Sequence, residues 1–298
     1  MLEIGGVSVE DHLWGGRIMV DLPLACWVIL LLEYLDTFRL EVELIWPAKW
    51  GLVKLLYVLD RFLPFVILPF VGFYNITANP SSDFCRILFA IPCMGIIACI
   101  FIAEAILYLR VFALSGRSRT ILVVILINGI VVVATCCALL ARYIALATWD
   151  IPRPPGVSGC KGTFTDGKLV MIGYGTTLYS GILVAVLCVY FGIRLYWSRR
   201  PGRIITIFYR DGTMYFIALS VMSITNVVIA ANLPTGFRFL MAPFQGVLTS
   251  SLSIRMVLRL RQGAREDMGL TTVKVPDIEF TPETSGIAMD VPRTRLGA

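Results

Sequence analysis

The chain has 298 residues, of which 57% are hydrophobic and only 15% are charged. A soluble domain carries about 25% charged residues, so much of this protein's surface must face something other than water. The net charge of +6 does not indicate nucleic-acid binding, because the arginines flank apolar segments instead of covering a polar domain. Eight cysteines without a CxxC pair, and the single histidine His12, argue against a zinc site.

Seven apolar segments follow one another, each about long enough to cross a bilayer core of ~30 Å. The predicted helices cover about 20–38, 50–73, 86–112, 120–147, 169–197, 212–231 and 239–260. We therefore predict an all-α polytopic membrane protein, with seven transmembrane helices within residues 20–261. Residues 1–19 are predicted to be extracellular and lack the features of a cleavable signal peptide. Residues 262–298 are polar, and we predict a disordered cytoplasmic tail.

Basic residues are concentrated in alternate loops. The loops after the first, third and fifth segments and the start of the tail are rich in arginine, whereas the other loops hold few basic residues. The positive-inside rule therefore places the N-terminus outside and the C-terminus in the cytoplasm. In the third inner loop, Arg199, Arg200 and Arg203 lie among aromatic residues. This loop is a topology determinant, a contact for anionic lipid or a contact for a cytoplasmic partner.

Two features lie on the predicted outer side, which faces an oxidising compartment under this topology. Cys85 opens the third segment and Cys160 lies in the next outer loop, so we predict a disulfide between them; two unpaired thiols are the alternative. Asn75-Ile76-Thr77 is a glycosylation sequon on the same side, although Asn75 lies close to the membrane.

Charged residues also lie inside the apolar segments, where they are costly and by default functional. Asp60, Arg61 and Glu104 could form one buried cluster, for example through an ion pair of Arg61 with Glu104. Such a cluster is either a structural ion pair or part of an ion or proton path. We further expect Glu33 and Asp36 to pair with Arg39 or Lys54, and Asn128 and Asn226 to form interhelical hydrogen bonds; these four positions lie in the first, fourth and sixth segments.

No motif indicates catalysis. The chain has no HExxH, GxSxG or phosphate-binding loop, and the seventh segment has no lysine for a retinal Schiff base. We therefore expect a protein that is not an enzyme and needs no cofactor.

A bundle of seven helices with Cys85, Cys160 and an arginine, Arg110, at the inner end of the third helix resembles the G-protein-coupled receptor architecture. The resemblance implies that Arg110 contacts a partner at the inner face. Arg110 lacks the preceding acidic residue of rhodopsin-like receptors, and the sixth and seventh segments lack those receptors' proline motifs. Fold similarity alone does not imply G-protein coupling.

A closer resemblance is carried by EVELIWPAKW at residues 41–50, KLLY at 54–57 and the triplet Asp60-Arg61-Phe62. This stretch, about residues 20–70, is similar to the N-terminal domain of a family of basidiomycete fungal integral membrane proteins of unknown function. That family usually has an Asn-Arg-Tyr-like triplet where this chain has Asp60-Arg61-Phe62, so charge pairing here can differ. The resemblance implies a membrane protein but no established activity.

Three functions remain open: a receptor-like sensor that signals through the inner loops, a small-molecule or ion transporter, and a structural or lipid-interacting membrane protein. Multi-pass insertion into the plasma membrane or an endomembrane is common to all three. The partners expected are the lipid bilayer and, for a sensor, a cytoplasmic signalling protein.

Overall fold

The computed structural model describes residues 3–4, 7–77, 81–149, 159–160, 162, 167–198, 203–232 and 237–267. Within these residues the protein has seven α-helices, preceded by a short antiparallel hairpin of two strands. The elements are β1 Glu3–Ile4, β2 Val7–Ser8, α1 Val9–Leu44, α2 Leu52–Ile76, α3 Ser82–Leu114, α4 Arg119–Leu146, α5 Gly167–Ser198, α6 Arg203–Asn232 and α7 Ala242–Asp267. The all-α prediction is confirmed.

Five helices, α1 to α5, contain spans long and apolar enough to cross a membrane. In α6 the apolar part is shorter, Ile217–Asn232. α7 is less apolar because its second half carries four arginines, a glutamate and an aspartate. Polar side chains also line its buried face, among them Gln245, Thr249 and Ser253.

Large apolar side chains cover the outer surface of the bundle. α4 has a continuous exposed face that includes Val123, Ile127, Ile130 and Val131. Apolar patches of this size are unfavourable in water but match the acyl chains of a bilayer. The membrane-embedded helices therefore contact lipid.

α3 and α7 occupy the centre of the bundle. α3 packs against α2, α4, α5 and α7, and α7 packs against α1, α2, α3 and α6. The α7 side chains of Val247, Ile254 and Leu258 are almost completely buried. α7 therefore packs against four of the other six helices.

One end of the bundle, which we name the disulfide end, is held by the bond between Cys85 and Cys160, with their Cα atoms 5.5 Å apart. The structure thus contains the disulfide that the sequence predicts. The neighbouring backbone adds two hydrogen bonds, from the Gly159 N–H to the Thr77 carbonyl at 2.8 Å and from the Cys160 N–H to the Tyr74 carbonyl at 2.9 Å. An aromatic cluster lies beneath them, formed by Tyr74, Phe89, Tyr143, Trp149 and Phe239.

Glycine is required at position 159. Its φ of +92° is a backbone conformation that side chains rarely tolerate, and a Cβ would lie 2.5 Å from the Asn75 carbonyl oxygen. The disulfide loop can therefore approach the end of α2 only because residue 159 has no side chain.

At the opposite end, which we name the arginine end, α1 and α2 are joined by a turn at Ile45–Trp50. Lys54 donates to the carbonyls of Trp46 at 2.9 Å and Ala48 at 2.8 Å, and its ammonium lies 4.9 Å from the centre of the Trp50 ring. One buried lysine therefore satisfies two backbone carbonyls of the turn that follows α1.

Candidate functional site in the bundle interior

The polar interior contains three groups of residues, and the first surrounds Glu104 on α3. Ser180 of α5 donates to Glu104 Oε2 at 3.0 Å, and Tyr108 reaches the same oxygen at 3.5 Å. Asn128 of α4 donates to the Tyr108 hydroxyl at 3.0 Å, which confirms the predicted interhelical hydrogen bond. The Glu104 group therefore joins α3, α4 and α5 through a carboxylate that is 3% exposed.

The second group lies across from Glu104, on α6 and α7. Asn226 donates to the Gln245 side-chain oxygen, and the Gln245 amide donates to the Ser223 hydroxyl at 3.3 Å. Asn226 thus makes the predicted interhelical hydrogen bond as well. All three side chains are buried.

A small cavity separates these two groups. Its polar lining comes from Glu104, Thr177, Ser220, Ser223 and Gln245, and the remaining lining is apolar or glycine. The space open to the centre of a water-sized molecule is about 10 Å³, which is close to what one water needs. The cavity therefore fits a single water-sized species and not an organic ligand.

The third group surrounds Asp60 on α2. Ser250 of α7 donates to the Asp60 backbone carbonyl at 2.6 Å, and Ser250 and Ser253 both lie beside the carboxyl group. Asp60 is fully buried, and within the described residues neither carboxyl oxygen receives a well-formed hydrogen bond. Asp60 thus fixes α7 against α2 mainly through its backbone.

Arg61 points away from this group towards α1. Its Nε lies 3.1 Å from Glu41 Oε2, its Nη2 donates to the Thr37 hydroxyl at 2.5 Å, and its guanidinium lies 4.7 Å from the Tyr34 ring centre. No ion pair joins Arg61 to Glu104 in the part of the chain that the structure describes. The single cluster proposed for Asp60, Arg61 and Glu104 is therefore divided among three helix contacts, because adjacent residues on α2 face different neighbours.

Tyr215 of α6 lies near the divided charges. It is buried and lies within electrostatic range of Asp60, Glu104 and Arg110. Sequence reasoning missed it, because one tyrosine in an apolar helix carries no distinguishing pattern.

Arg110 does not lie on a free inner surface. It is 9% exposed, and its Nη2 donates to the Met256 carbonyl of α7 at 2.8 Å. This hydrogen bond links α3 and α7 at the arginine end, and the expected contact of Arg110 with a partner or lipid stays a prediction. Arg199 and Arg200 lie outside the described residues, and Arg203 begins α6 with a side chain that also lies outside the description.

α1 and α7 are joined by ion pairs along one side. Arg255 contacts Glu33 at 2.5 Å and Asp36 at 2.8 Å, and Arg265 contacts Glu43 at 3.1 Å. The expected pairing of Glu33 and Asp36 with Arg39 or Lys54 is wrong, since Arg255 takes both carboxylates.

The sequence contains a signal for these pairs. Glu33 and Arg255 are separated by 222 residues, and so are Glu43 and Arg265. Two acid–base pairs at one separation are typical of two helices that run in the same direction.

The side-chain nitrogen of Asn75, which glycosylation would modify, already donates two hydrogen bonds. It donates to the Met19 carbonyl at 2.9 Å and to the Val71 carbonyl at 3.0 Å. A glycan at Asn75 would require both hydrogen bonds to break, including the bond to Met19 that joins α2 to α1, so its modification stays a prediction.

Residues 23–66 match the profile of a family of unknown function, DUF6533. The matched part contains most of α1, the turn at Ile45–Trp50 and the first part of α2, including Glu41 and Arg61. It coincides with the stretch that carries the sequence resemblance. No curated protein matches the chain.

Proposed function

We propose that the protein spans the membrane seven times, with the N-terminus and the disulfide end outside, and acts as a receptor-like sensor without enzymatic activity. The alternating basic loops support this orientation, and a disulfide fits the oxidising side of a membrane. α6 and α7 complete the spans because α7 is enclosed by four helices, so its polar face needs no contact with lipid.

The observation that carries the proposal is the set of contacts made by α7. Near the disulfide end, Gln245 lines the interior cavity. Eleven residues further, about 16 Å along a helix axis, the Met256 carbonyl accepts the hydrogen bond from Arg110. One rigid element therefore touches both the cavity and the arginine end, so a shift of α7 at one site changes the contacts at the other.

A cytoplasmic partner would bind at the arginine end and respond to that shift of α7. The inner loops are basic, and the Arg110 contact holds α3 and α7 together there. Releasing this contact would let the arginine end of α7, together with α6 and α5 that pack beside it, move away from α3, whereas the disulfide keeps the opposite end fixed.

Electron paramagnetic resonance distances test for the two states that a sensor requires. Spin labels are placed on unnatural ketone residues at Leu52 and Arg194, two exposed positions near the arginine end, so that native cysteines stay intact. In nanodiscs we expect two distance populations, with the longer one enriched in Arg110→Gln. Arg119→Gln, which removes an exposed arginine near the same end, is the matched control. A single distance that is identical in all three proteins would exclude the sensor.

A proton or cation transporter is the second candidate, supported by two buried carboxylates, Asp60 and Glu104, at membrane depth. In proteoliposomes a transporter would dissipate a pH or sodium gradient, and Glu104→Gln would abolish this flux. Flux equal to that of protein-free liposomes would exclude the transporter but would not contradict the sensor.

A further inference from the structure

We propose that the cavity beside Glu104 binds one sodium-sized monovalent cation, with Glu104 as its charged ligand. The proposal concerns binding at this cavity alone, so it stands or falls independently of the sensor function.

The first argument is charge. Glu104 is 3% exposed, and no lysine or arginine pairs with it within the described residues. The nearby basic side chains are committed elsewhere: Arg61 pairs with Glu41, and Arg110 donates to the Met256 carbonyl. A buried carboxylate without a cationic partner is strongly unfavourable, so it must be protonated or must hold a mobile cation.

The second argument is that two hydroxyl groups are placed to stabilise the ionised form. Ser180 and Tyr108 both offer hydroxyl groups to Glu104 Oε2. Hydrogen bonds donated to a carboxylate oxygen stabilise the anion. They leave Oε1 as the carboxylate oxygen available to a ligand in the cavity.

The third argument is the chemistry of the lining. The polar residues around the cavity offer hydroxyl and amide oxygens, from Thr177, Ser220, Ser223 and Gln245. Oxygen ligands of this kind prefer hard cations. The described residues contain no group of three or more His, Cys, Asp or Glu side chains that could hold a metal ion. One carboxylate among neutral oxygens therefore matches a single positive charge.

The fourth argument is size. The cavity offers about 10 Å³ to the centre of a water-sized molecule, so it has room for one such species. A dehydrated sodium ion is no larger than a water molecule. Bulky organic cations are too large.

The test compares cations at constant ionic strength. The full chain in nanodiscs of uncharged lipid is unfolded thermally in sodium, potassium or N-methylglucamine chloride, and radioactive sodium binding is measured directly. We expect saturable sodium binding and a melting temperature that rises with sodium concentration more than with N-methylglucamine. Equal melting curves in sodium and N-methylglucamine, or no saturable binding, would overturn the proposal.

Variants locate the site. Glu104→Gln should abolish sodium binding and the sodium-dependent shift. Ser180→Ala keeps the carboxylate but removes a hydrogen bond that orients it, and should weaken binding by about 10- to 100-fold. Asp60→Asn is the matched control, since it neutralises a buried carboxylate outside the cavity lining and should leave sodium binding unchanged. Loss of binding in Asp60→Asn but not in Glu104→Gln would show that the assignment to Glu104 is wrong.

Discussion

The two ends of the bundle are stabilised by different chemistry. At the disulfide end, a covalent bond, a glycine-dependent backbone contact and an aromatic cluster hold the helices together. At the arginine end, the contacts are ion pairs and hydrogen bonds from Arg61, Arg110, Arg255 and Arg265. Polar contacts can exchange partners whereas a disulfide cannot. Motion should therefore concentrate at the arginine end, and each of the following substitutions weakens one end alone.

The largest effect is expected from the buried ion pair of Arg61 with Glu41. Arg61→Met leaves the Glu41 carboxylate buried and unpaired, which should cost about 3–5 kcal/mol of folding stability. Thermal unfolding in nanodiscs measures it, with the exposed Arg39→Met on α1 as control. The double variant Arg61→Met/Glu41→Leu should recover most of the loss, because no unpaired charge remains. A double variant that is no more stable than Arg61→Met would show that the pair itself, and not the stranded charge, matters.

The next effect concerns the disulfide. Cys85→Ala/Cys160→Ala opens a loop of 75 residues. The chain-entropy model gives roughly 4 kcal/mol for such a loop, and we expect less because the bilayer already restricts the unfolded chain. Hydrogen exchange should accelerate around Thr77 and Cys160 and stay unchanged at the end of α7. Equal acceleration of hydrogen exchange at both ends would contradict the claim that the disulfide stabilises the disulfide end alone.

A smaller loss is expected from Gly159→Ala. Positive φ with a side chain, together with the clash against the Asn75 carbonyl, should cost about 1–3 kcal/mol. Gly116→Ala is a matched control, because Gly116 also has a positive φ, of +71°, but open space around its Cα. It should cost about 1 kcal/mol. The difference in thermal stability between the two variants measures the backbone contact alone, and equal losses would mean that the close approach is unimportant.

Much of this fold can be predicted from the sequence, because apolar length and polar interruption are local properties. The predicted boundaries of the third, fourth and fifth helices lie within a few residues of α3, α4 and α5. α1 begins earlier than predicted, at Val9, because a helix can continue beyond its apolar part. The Cys85–Cys160 bond was predictable from the side of the membrane on which each thiol was placed.

The charged contacts were less predictable, because they depend on which helices are neighbours. The sequence does not indicate Glu41 as the partner of Arg61, since another intramembrane charge is the more obvious partner. The acceptor for Arg110 is a backbone carbonyl, and any residue can supply one. The cavity at Glu104 is lined by residues of four helices, so it cannot be predicted without knowing how those helices pack. Among these charged contacts, only Glu33–Arg255 and Glu43–Arg265 could be recognised as pairs from the sequence, because both pairs have the same separation.

The ion pairs at this separation should contribute the least to stability of the contacts discussed here. They also give the most direct test of how α1 and α7 are aligned. The side chain of Arg255 is 41% exposed, so its pair with Glu33 should contribute only about 0.2–1 kcal/mol. A double-mutant cycle with Glu33→Gln and Arg255→Gln measures the coupling by thermal unfolding. The crossed combination of Glu33→Gln with Arg265→Gln provides the control, because those residues belong to different pairs. Coupling in the first cycle and none in the second is the result that the parallel alignment requires. Coupling of equal size in both would mean that the arginines act as a diffuse positive field and not as two aligned pairs.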